Sequence, residues 1–592
     1  MGSQRSDVRP FLHHAGLLAG IAIMLAPLAW AQHAKPGQPS TPKTLSRPKL
    51  IVLLVVDQMR GDYVDKFRGQ WSVGLKRMLE EGAWFREAAY PYATTETCVG
   101  HATISTGAFP STHAMVANAW WDRETQKLVT CTADPKAKNV GYAGVAAKGG
   151  DSAWRMELPS FAEELRFQVG DATRIVSFSL KARSSIPMAG HKADAVTWLD
   201  GGGWVTSSVY GTMPFIEEFA KAHPVKEDYG KTWTLSLPES AYLYGDRATG
   251  AVAPDGWDLS FPHPLRGKGA GSEPDAEFYE QWASSPFADT YLTRLAERAV
   301  DSLGLGRGGG TDFLAVGYSA IDHVGHAFGP KSREIQDILV WLDKDLGELF
   351  THLDQKVGRG QYAVALSADH GVEPVPEDMQ QTAASAGLLR LPELQERMEK
   401  ALEPFVVGKP AVVQVRGSNV YFAPEVYDKL KQDPKTMRAV MDVALAQPGV
   451  AEVYRAEELQ HRPATQSPTR EAMAYSYFRG RSGDLFIVPK PYWGLDGTPI
   501  GKARSYGAGH GTPYNYDQRV PILLMGYGIQ PGEYLREVTP ADIAPTLASL
   551  CGITLASRDG HVLAEALAKR TVHRSAEQGG SANAAAQKPA KP

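Results

Sequence analysis

The chain carries five short, continuous apolar runs, each bounded by polar or glycine-rich residues. They span residues 50–56, 174–180, 313–318, 362–366 and 520–525. Continuous apolar runs of this length are typical of strands that are buried on both faces of a parallel sheet. The runs therefore predict the strands of one large buried sheet.

Between the runs, apolar residues recur at the spacings of an amphipathic helix. The clearest repeat has apolar side chains three and four positions apart, at Ile335, Ile338, Leu339, Leu342, Leu346 and Leu349. Strands that alternate with helices predict an α/β fold, with an open, mostly parallel sheet and helices on both faces. Two stretches rich in Pro, Gly and aromatic residues break the alternation, at about 201–288 and 374–499. We predict that they are insertions that cap the sheet.

The first 31 residues have the layout of a secretory signal peptide. Arg5 and Arg9 precede an apolar run over residues 15–30, and Ala29 and Ala31 complete an A-x-A cleavage pattern. The run is shorter than a membrane span, so we predict cleavage near Ala31 and export to the periplasm or the exterior. An uncleaved anchor is the alternative.

The remaining chain divides by composition into three parts. Residues 32–48 are rich in Pro, Ser and Lys and are predicted to be a linker, while 571–592 are predicted to be a disordered tail. The stretch between them, 49–570, is predicted to be one domain that carries both insertions.

The overall composition is that of a globular protein. Of 592 residues, 43% are hydrophobic and 22% are charged, which excludes a mainly disordered chain and a protein with many membrane spans. The 62 basic and 66 acidic residues leave a net charge of −4, so no basic surface indicates a nucleic-acid partner. Three cysteines are too few for a disulfide framework, so the fold must rest on a buried core.

Polar residues cluster where the predicted strands end or begin. Asp57, Lys181, Arg183, Asp322, His326, Asp369 and His370 follow four of the runs, and His510 lies in a Gly-rich segment before the fifth. In open α/β sheets, ligands bind beyond the carboxyl ends of the strands, so we expect these side chains to share one crevice.

The residue types in this cluster point to metal ions. A single Asp after a strand is most often a helix cap or a turn residue, and a single loop His is usually only hydrogen-bonded. Three Asp and three His together match the ligands of hard-to-borderline divalent cations, and six ligands suit two adjacent ions. These ligand types admit zinc, manganese or cobalt.

Seven motifs of the chain resemble the alkaline phosphatase superfamily, and most closely its secreted bacterial monoesterase branch, related to the flavobacterial phosphate-irrepressible alkaline phosphatase. They are VVDQMRGDY, TETCVGHATISTGAFPSTH, ANAWWD, LKARSS, DHVGHAFGP, SADHGV and GAGHGTPYNYD. The motifs run from Asp57 to beyond His510, over most of the domain. The resemblance implies an alkaline-phosphatase-like fold, so that 49–570 would be a catalytic domain.

The resemblance also implies a role for each residue of the cluster. Thr97 falls where the family places its nucleophile. One zinc ion would be held by Asp57, Thr97, Asp369 and His370, and a second by Asp322, His326 and His510. Asn118, Lys181 and Arg183 match positions that contact the phosphoryl oxygens of the substrate.

The function that this resemblance implies is that of a metal-dependent phosphoric monoester hydrolase. Such an enzyme would use two Zn²⁺ per chain, take small-molecule phosphate monoesters and pass through a phosphothreonine intermediate. We expect no nucleic-acid partner, no membrane span in the mature protein and a monomer.

Rival functions remain to be weighed against this one. A nucleotide phosphodiesterase shares the metal ligands, the Thr and the Asn, and a non-catalytic envelope binding protein could keep the fold alone. A sulfatase is disfavoured because the C-x-[P/A]-x-R maturation signal does not follow Cys98. Cys98 would then be either a packed thiol or the disulfide partner of Cys131. His101 and His191, in family-like stretches, are interpreted as structural hydrogen-bonding residues.

Overall fold

The computed structural model describes residues 47–268, 271, 273–382, 385–460 and 467–568. The predicted signal peptide, the predicted tail and all but the last two residues of the predicted linker lie outside these residues. Within the described part of the chain, no helix has both the length and the hydrophobicity to cross a bilayer.

A ten-stranded sheet forms the centre of the protein. Its strands in chain order are β1 (Leu50–Val56), β2 (Ala83–Ala88), β3 (Asn139–Gly141), β4 (Ile175–Ser179), β5 (Ala195–Asp200), β6 (Gly203–Ser207), β7 (Asp312–Tyr318), β8 (Tyr362–Ser367), β9 (Ile522–Gly526) and β10 (Gly532–Val538). Their order across the sheet is β10-β2-β9-β8-β1-β7-β4-β5-β6-β3. The five predicted strands are β1, β4, β7, β8 and β9, and their observed bounds lie within two residues of the apolar runs.

The direction of β9 is the feature of the sheet that matters most for the site. Strands β8, β1, β7, β4 and β5 are mutually parallel, whereas β9 pairs antiparallel with β8 on one side and β2 on the other. The start of β9 therefore lies at the edge where β8 and β1 end. A segment just before β9 reaches the same crevice as segments just after the parallel strands.

Both faces of the sheet are covered, as the continuous apolar runs predict. Along β1, Leu50, Val52 and Leu54 belong to a buried core on one face, the first core, and Ile51, Leu53 and Val55 belong to a second core on the opposite face. Because successive side chains of a strand point to opposite faces, one strand contributes to both cores. The predicted α/β class with a mostly parallel sheet is confirmed.

Five helices carry or support the candidate site: α1 (Thr97–Thr106), α2 (Ala182–Ala189), α3 (Pro286–Leu303), α4 (Ala320–Phe328) and α5 (Arg333–Leu353). The predicted amphipathic repeat lies entirely within α5, and its apolar residues pack into the first core. The other α-helices of the described residues are Asp62–Phe67, Gly74–Glu81, Pro110–His113, Phe161–Val169, Pro214–Ala222, Ala276–Ala283, Pro376–Met379, Leu391–Leu402, Val426–Gln432, Pro434–Leu445, Ala456–Leu459, Pro468–Ser476, Asn515–Gln518 and Ile543–Cys551.

The two predicted insertions differ in structure. The stretch 374–499 contains a separate four-stranded sheet with its own apolar core, built from Val412–Arg416, Asn419–Phe422, Val450–Arg455 and Leu485–Pro489. The stretch 201–288 includes β6, which pairs with β5 and so extends the central sheet. Two-stranded pairs complete the described strands: Ala119–Asp122 with Lys127–Thr130, Thr232–Trp233 with His263–Pro264, and Gly387–Arg390 with Trp493–Asp496.

Candidate active site

The six Asp and His side chains that are predicted to be metal ligands lie together at the carboxyl edge of the parallel strands, in two groups. Asp57 directly follows β1, and Asp369 and His370 follow β8. We call these three the inner group; their ligand atoms lie within 4.8 Å of one another. The outer group is Asp322 and His326 on α4 with His510 from the loop before β9, and its ligand atoms meet the same limit.

The inner group is enclosed by protein. All three side chains are fully buried, and His370 Nε2 lies 3.5 Å from Asp57 Oδ1 and 3.5 Å from Asp369 Oδ2. Burial, together with the carboxylates of Asp322 and Asp369, raises the pKa of Asp57 well above the usual range of aspartate. Asp57 Oδ1 is buried without a hydrogen-bond partner among the described residues. A buried oxygen of this kind is expected where a cation supplies the missing contact.

The outer group faces a cavity. His326 Nε2 lies 3.2 Å from Asp322 Oδ1, and the side chain of His326 is 32% exposed. The ring centres of His326 and His510 are 5.1 Å apart, and those of His510 and His370 only 3.7 Å apart, so the two groups adjoin. Burial and the neighbouring imidazoles hold the pKa of His510 well below its usual value, and the neutral ring is the form that binds metals.

All three ligand histidines are oriented by backbone carbonyls. The Nδ1 atoms of His370, His326 and His510 lie 2.9, 2.8 and 2.7 Å from the carbonyl oxygens of Gly371, Ala508 and Thr95 respectively. A carbonyl oxygen can only accept, so each Nδ1 donates its proton, and Nε2 is the ring nitrogen that remains for a metal ion. This is the second-layer arrangement that metal-binding histidines usually show.

Lys181 connects the two groups. Its Nζ lies 2.5 Å from Asp57 Oδ2 and also contacts Asp322 Oδ2. Burial lowers the pKa of this amine, but the carboxylates of Asp322 and Asp57 raise it by more, so the net pKa is raised. The predicted substrate contact thus lies against two predicted metal ligands, where its ammonium offsets the negative charge of the buried carboxylates. The donor set and its charge fit divalent metal ions.

Thr97 lies at the inner group. It is the first residue of α1, it is 1% exposed, and its Oγ1 is 3.4 Å from His370 Nε2. The helix approaches Asp369 closely because residue 100 is glycine; a Cβ there would lie 2.1 Å from the Asp369 carbonyl oxygen. The missing side chain of Gly100 therefore sets the distance between Thr97 and the inner group.

Asn118 and Arg183 occupy different surroundings. Asn118 Oδ1 accepts a hydrogen bond of 2.8 Å from the Cys98 main-chain N–H, one residue after Thr97. Arg183, near the start of α2, lines a cavity of about 740 Å³ together with Lys181 and the outer group. The cavity is also walled by both predicted insertions, through Val252, Ala253, Pro254, Asp255, Glu280, Ser284 and Leu495.

Sequence reasoning missed two residues of the site. Gln58 donates from its main-chain N–H to Asp369 Oδ1 (3.0 Å) and from Nε2 to Asp322 Oδ1 (2.7 Å), so one residue braces both groups. Glu96 Oε2 accepts the main-chain N–H of Asn118 at 2.6 Å. A Glu before a helix is usually explained by its interaction with the helix dipole, and a Gln after a strand is uncharged. Neither residue type therefore indicates a functional site in the sequence.

The two histidines interpreted as structural lie in different places. His101 Nδ1 is 2.8 Å from the Thr97 carbonyl oxygen and 3.2 Å from Asp369 Oδ2, so it supports the inner group. His191 Nδ1 instead lies 3.1 Å from Glu163, and its Nε2 is 3.0 Å from the Met156 carbonyl. Cys98 and Cys131 form a disulfide, which decides between the two alternatives for Cys98.

Two carboxylate–imidazole groups at the carboxyl edge of an open α/β sheet, with a threonine hydroxyl beside them, have the ligand types and the position expected of a metal-dependent esterase. The chain belongs to the type I phosphodiesterase / nucleotide pyrophosphatase family of the alkaline phosphatase superfamily, whose sequence model matches residues 51–513. The family resemblance of the motifs is confirmed.

Its relatives include proteins that are named alkaline phosphatases. Alkaline phosphatase PhoV of Synechococcus elongatus is 30% identical over 558 residues, covering 91% of this chain and 96% of that protein. Alkaline phosphatase PafA of Elizabethkingia meningoseptica is 30% identical over 524 residues, covering 86% and 93%. A crystal structure of PafA matches this fold with a TM-score of 0.80 at 29% identity, covering 89% of this chain and all of that one.

Proposed function

We propose that this chain is a metal-dependent alkaline phosphatase that hydrolyses phosphate monoesters to an alcohol and inorganic phosphate. Full-length relatives named alkaline phosphatases support the activity. The observation that carries the proposal is the position of the Thr97 hydroxyl, 3.4 Å from His370 of the inner group.

The cofactor of this proposal is a pair of zinc ions. Asp57, Thr97, Asp369 and His370 would hold one, and Asp322, His326 and His510 the other. When bound, two zinc ions would lower the pKa of the Thr97 hydroxyl and of water and would stabilise charge on the entering and leaving oxygens. The Nε2 atoms of His370 and His326, which face the ligand carboxylates, and the unpartnered Oδ1 of Asp57 support this assignment.

The reaction would proceed through Thr97 in two displacements. In the first, Thr97 Oγ1 forms a bond to phosphorus, the bond from phosphorus to the alcohol oxygen breaks, and the alcohol leaves with a proton. In the second, a water oxygen bonds to phosphorus and the bond to Thr97 breaks, which releases phosphate, and a proton of the water returns to the Thr97 oxygen. Between them the phosphoryl group would be carried as phosphothreonine.

Asn118, Lys181 and Arg183 would bind the phosphoryl oxygens. A phosphate monoester is a dianion, and two divalent ions would more than offset the three ligand aspartates. The two cationic side chains then favour a dianion over the single charge of a diester. Arg183 can present two N–H groups to one phosphoryl group.

A comparison of two substrates tests this choice. The purified protein should hydrolyse p-nitrophenyl phosphate faster than bis-p-nitrophenyl phosphate between about pH 7 and pH 10. The monoester rate should rise with the metal content of the preparation. A faster diester rate would favour the nucleotide phosphodiesterase alternative. That alternative is supported by the name of the matching family.

A substitution of the nucleophile tests the mechanism. Thr97→Ala should lower monoester turnover by roughly 10⁴-fold or more, because catalytic groups that act as a unit cost this much when removed. Metal analysis should still find bound metal. Unchanged turnover would contradict the role of Thr97.

We also propose that the protein is exported to the periplasm or the exterior and acts as a monomer. The Cys98–Cys131 disulfide supports export because disulfides persist in oxidising compartments. N-terminal sequencing of the native protein should begin near Gln32.

A further inference from the structure

Three backbone or side-chain atoms of Asn118 are held by its surroundings. Its main-chain N–H donates to Glu96 Oε2 (2.6 Å), its Oδ1 accepts from the Cys98 N–H (2.8 Å), and its carbonyl oxygen accepts from the Cys131 N–H (3.0 Å). These bonds do not involve the side-chain NH₂ group. That group is the donor which the proposed function aims at a phosphoryl oxygen.

Two of the three partners are the chain neighbours of Thr97. Glu96 precedes the nucleophile and Cys98 follows it, so the same short segment positions the hydroxyl and the amide. The third partner, Cys131, is bonded covalently to Cys98 through the disulfide, and both cysteines are fully buried. The bridge therefore closes a loop around Asn118.

The segment that follows Asn118 has little other support from sheet pairing. Ala119–Asp122 and Lys127–Thr130 form a two-stranded sheet that is separate from the central one, and Ala119 pairs with Thr130. An isolated two-stranded hairpin is at best marginally stable in water. The disulfide joins α1 to the residue that directly follows this hairpin.

We infer that the Cys98–Cys131 disulfide is a positioning device that fixes the Asn118 amide relative to the Thr97 hydroxyl, so that phosphoryl recognition depends on the bridge. This inference rests on the proposed function. Misplacing a binding group by about 1 Å can cost on the order of 100-fold in rate, so a loosened Asn118 impairs turnover without unfolding. A bridge that only restrains the unfolded chain would change stability and leave binding of phosphate unchanged.

The variant without the bridge is expected to keep its fold. Trp120, two residues after Asn118, is 1% exposed and packs in the second core, and the guanidinium groups of Arg155 and Arg481 each lie 5.5 Å from its ring. These contacts anchor the hairpin independently of the sulfurs. What the variant loses is the covalent link between the hairpin and α1.

A double-mutant cycle tests the inference. Cys98→Ala/Cys131→Ala, Asn118→Ala and the combined triple variant are compared for kcat/KM with p-nitrophenyl phosphate and for inhibition by inorganic phosphate. We expect removal of the bridge to lower kcat/KM roughly 10- to 100-fold and to weaken phosphate inhibition, with metal content unchanged. In the Asn118→Ala background, removal of the bridge should cost less than about 2-fold more.

The matched control is Cys551→Ala, which removes a buried cysteine outside the bridge and should change kcat/KM by less than about 2-fold. If the bridge variant does not accumulate as folded protein, the same comparison is made by reducing purified wild-type and Asn118→Ala proteins with a phosphine. The released thiols are counted while activity is followed. Loss of rate should track thiol release only where Asn118 is present.

The outcomes separate this inference from the proposed function. Equal losses in both backgrounds, or no loss on removing the bridge, overturn the positioning role. If Asn118→Ala alone changes neither kcat/KM nor phosphate inhibition, the phosphoryl role of Asn118 in the proposed function fails instead. Losses that disappear in the Asn118→Ala background support the inference.

Discussion

The inner and outer groups are built from the same two kinds of side chain but meet water differently. The inner group has two carboxylates and one imidazole and is fully buried beside Thr97. The outer group has one carboxylate and two imidazoles and borders the large cavity. From this difference we expect the inner group to act on the Thr97 hydroxyl. We expect the outer group to act on the cavity side, where substrate enters and the alcohol leaves.

Among tests of the difference between the two groups, removing one histidine from each has the largest expected effect. His370→Gly and His326→Gly should each lower kcat/KM by about 1,000-fold, since losing the several kcal/mol that a bound metal contributes corresponds to that factor. Added imidazole should restore His326→Gly at least about 10-fold, because its side chain is 32% exposed, but not His370→Gly, which is fully buried.

The control for this pair is the wild-type enzyme in the same imidazole concentrations. Rescue is followed with p-nitrophenyl phosphate, and metal content is measured before and after imidazole is added. Equal rescue of the two variants would contradict the division into an enclosed group and an accessible one.

A smaller effect is expected from the histidine behind the inner group. His101→Ala should lower kcat/KM about 10- to 100-fold, the usual cost of removing a second-layer partner, because Nδ1 contacts both the Thr97 carbonyl and Asp369. His191→Ala is the matched control and should change the rate less than about 2-fold, since its contacts are Glu163 and Met156. A comparable loss in both variants would mean that the effect is on folding.

The smallest expected effect concerns a carboxylate that braces the outer group. Asp289 on α3 accepts the N–H groups of Ser319 (3.2 Å) and Ala320 (3.3 Å), where α4 begins. Burial raises its pKa from 3.8 to about 7. Between those values the folded protein binds a proton that the unfolded chain does not, so the free energy of unfolding falls as pH rises, by at most about 1.4 kcal/mol per pH unit.

Urea unfolding of the wild type and of Asp289→Asn at pH 5 and pH 8 checks this. The variant should be more stable relative to the wild type at pH 8 than at pH 5, because it has no carboxyl to ionise. Asp62→Asn is the control: the pKa of Asp62 is lowered, although burial opposes the shift, by the cationic side chains of Arg60 and Lys66. Its effect should be the same at both pH values, and a larger relative stability of Asp289→Asn at pH 5 would refute the prediction.

The sequence predicts the elements of the fold better than their directions. Each apolar run forms a strand because a strand that is buried on both faces needs a continuous run of apolar residues. Such a run can be recognised in the sequence alone. That β9 runs against its neighbour β8 is not visible, since an apolar run reads the same in either direction. His510 could be placed in the cluster only because its segment adjoined a run, and the antiparallel direction explains why it reaches the site.

The chemistry of the site divides in the same way. Ligand residues such as Asp57 and His510 are marked by residue type and by their place beside strands. Gln58 and Glu96 are held in the site by hydrogen bonds that only the folded chain brings together. The contacts of Lys181 could not be predicted from the sequence either, because they depend on which carboxylates are buried beside its ammonium in the folded protein.

The place of β9 in the sheet has a consequence for the newly made chain. Strand β2 lies early in the sequence, yet its neighbours β9 and β10 lie near the end and are synthesised last. Strand β8 also lacks one of its neighbours until β9 has been synthesised. While the chain is being synthesised, both strands present unpaired edges, which are templates for aggregation. The same late segment brings His510, so the step that closes the sheet also completes the outer group, and a truncated chain lacks both.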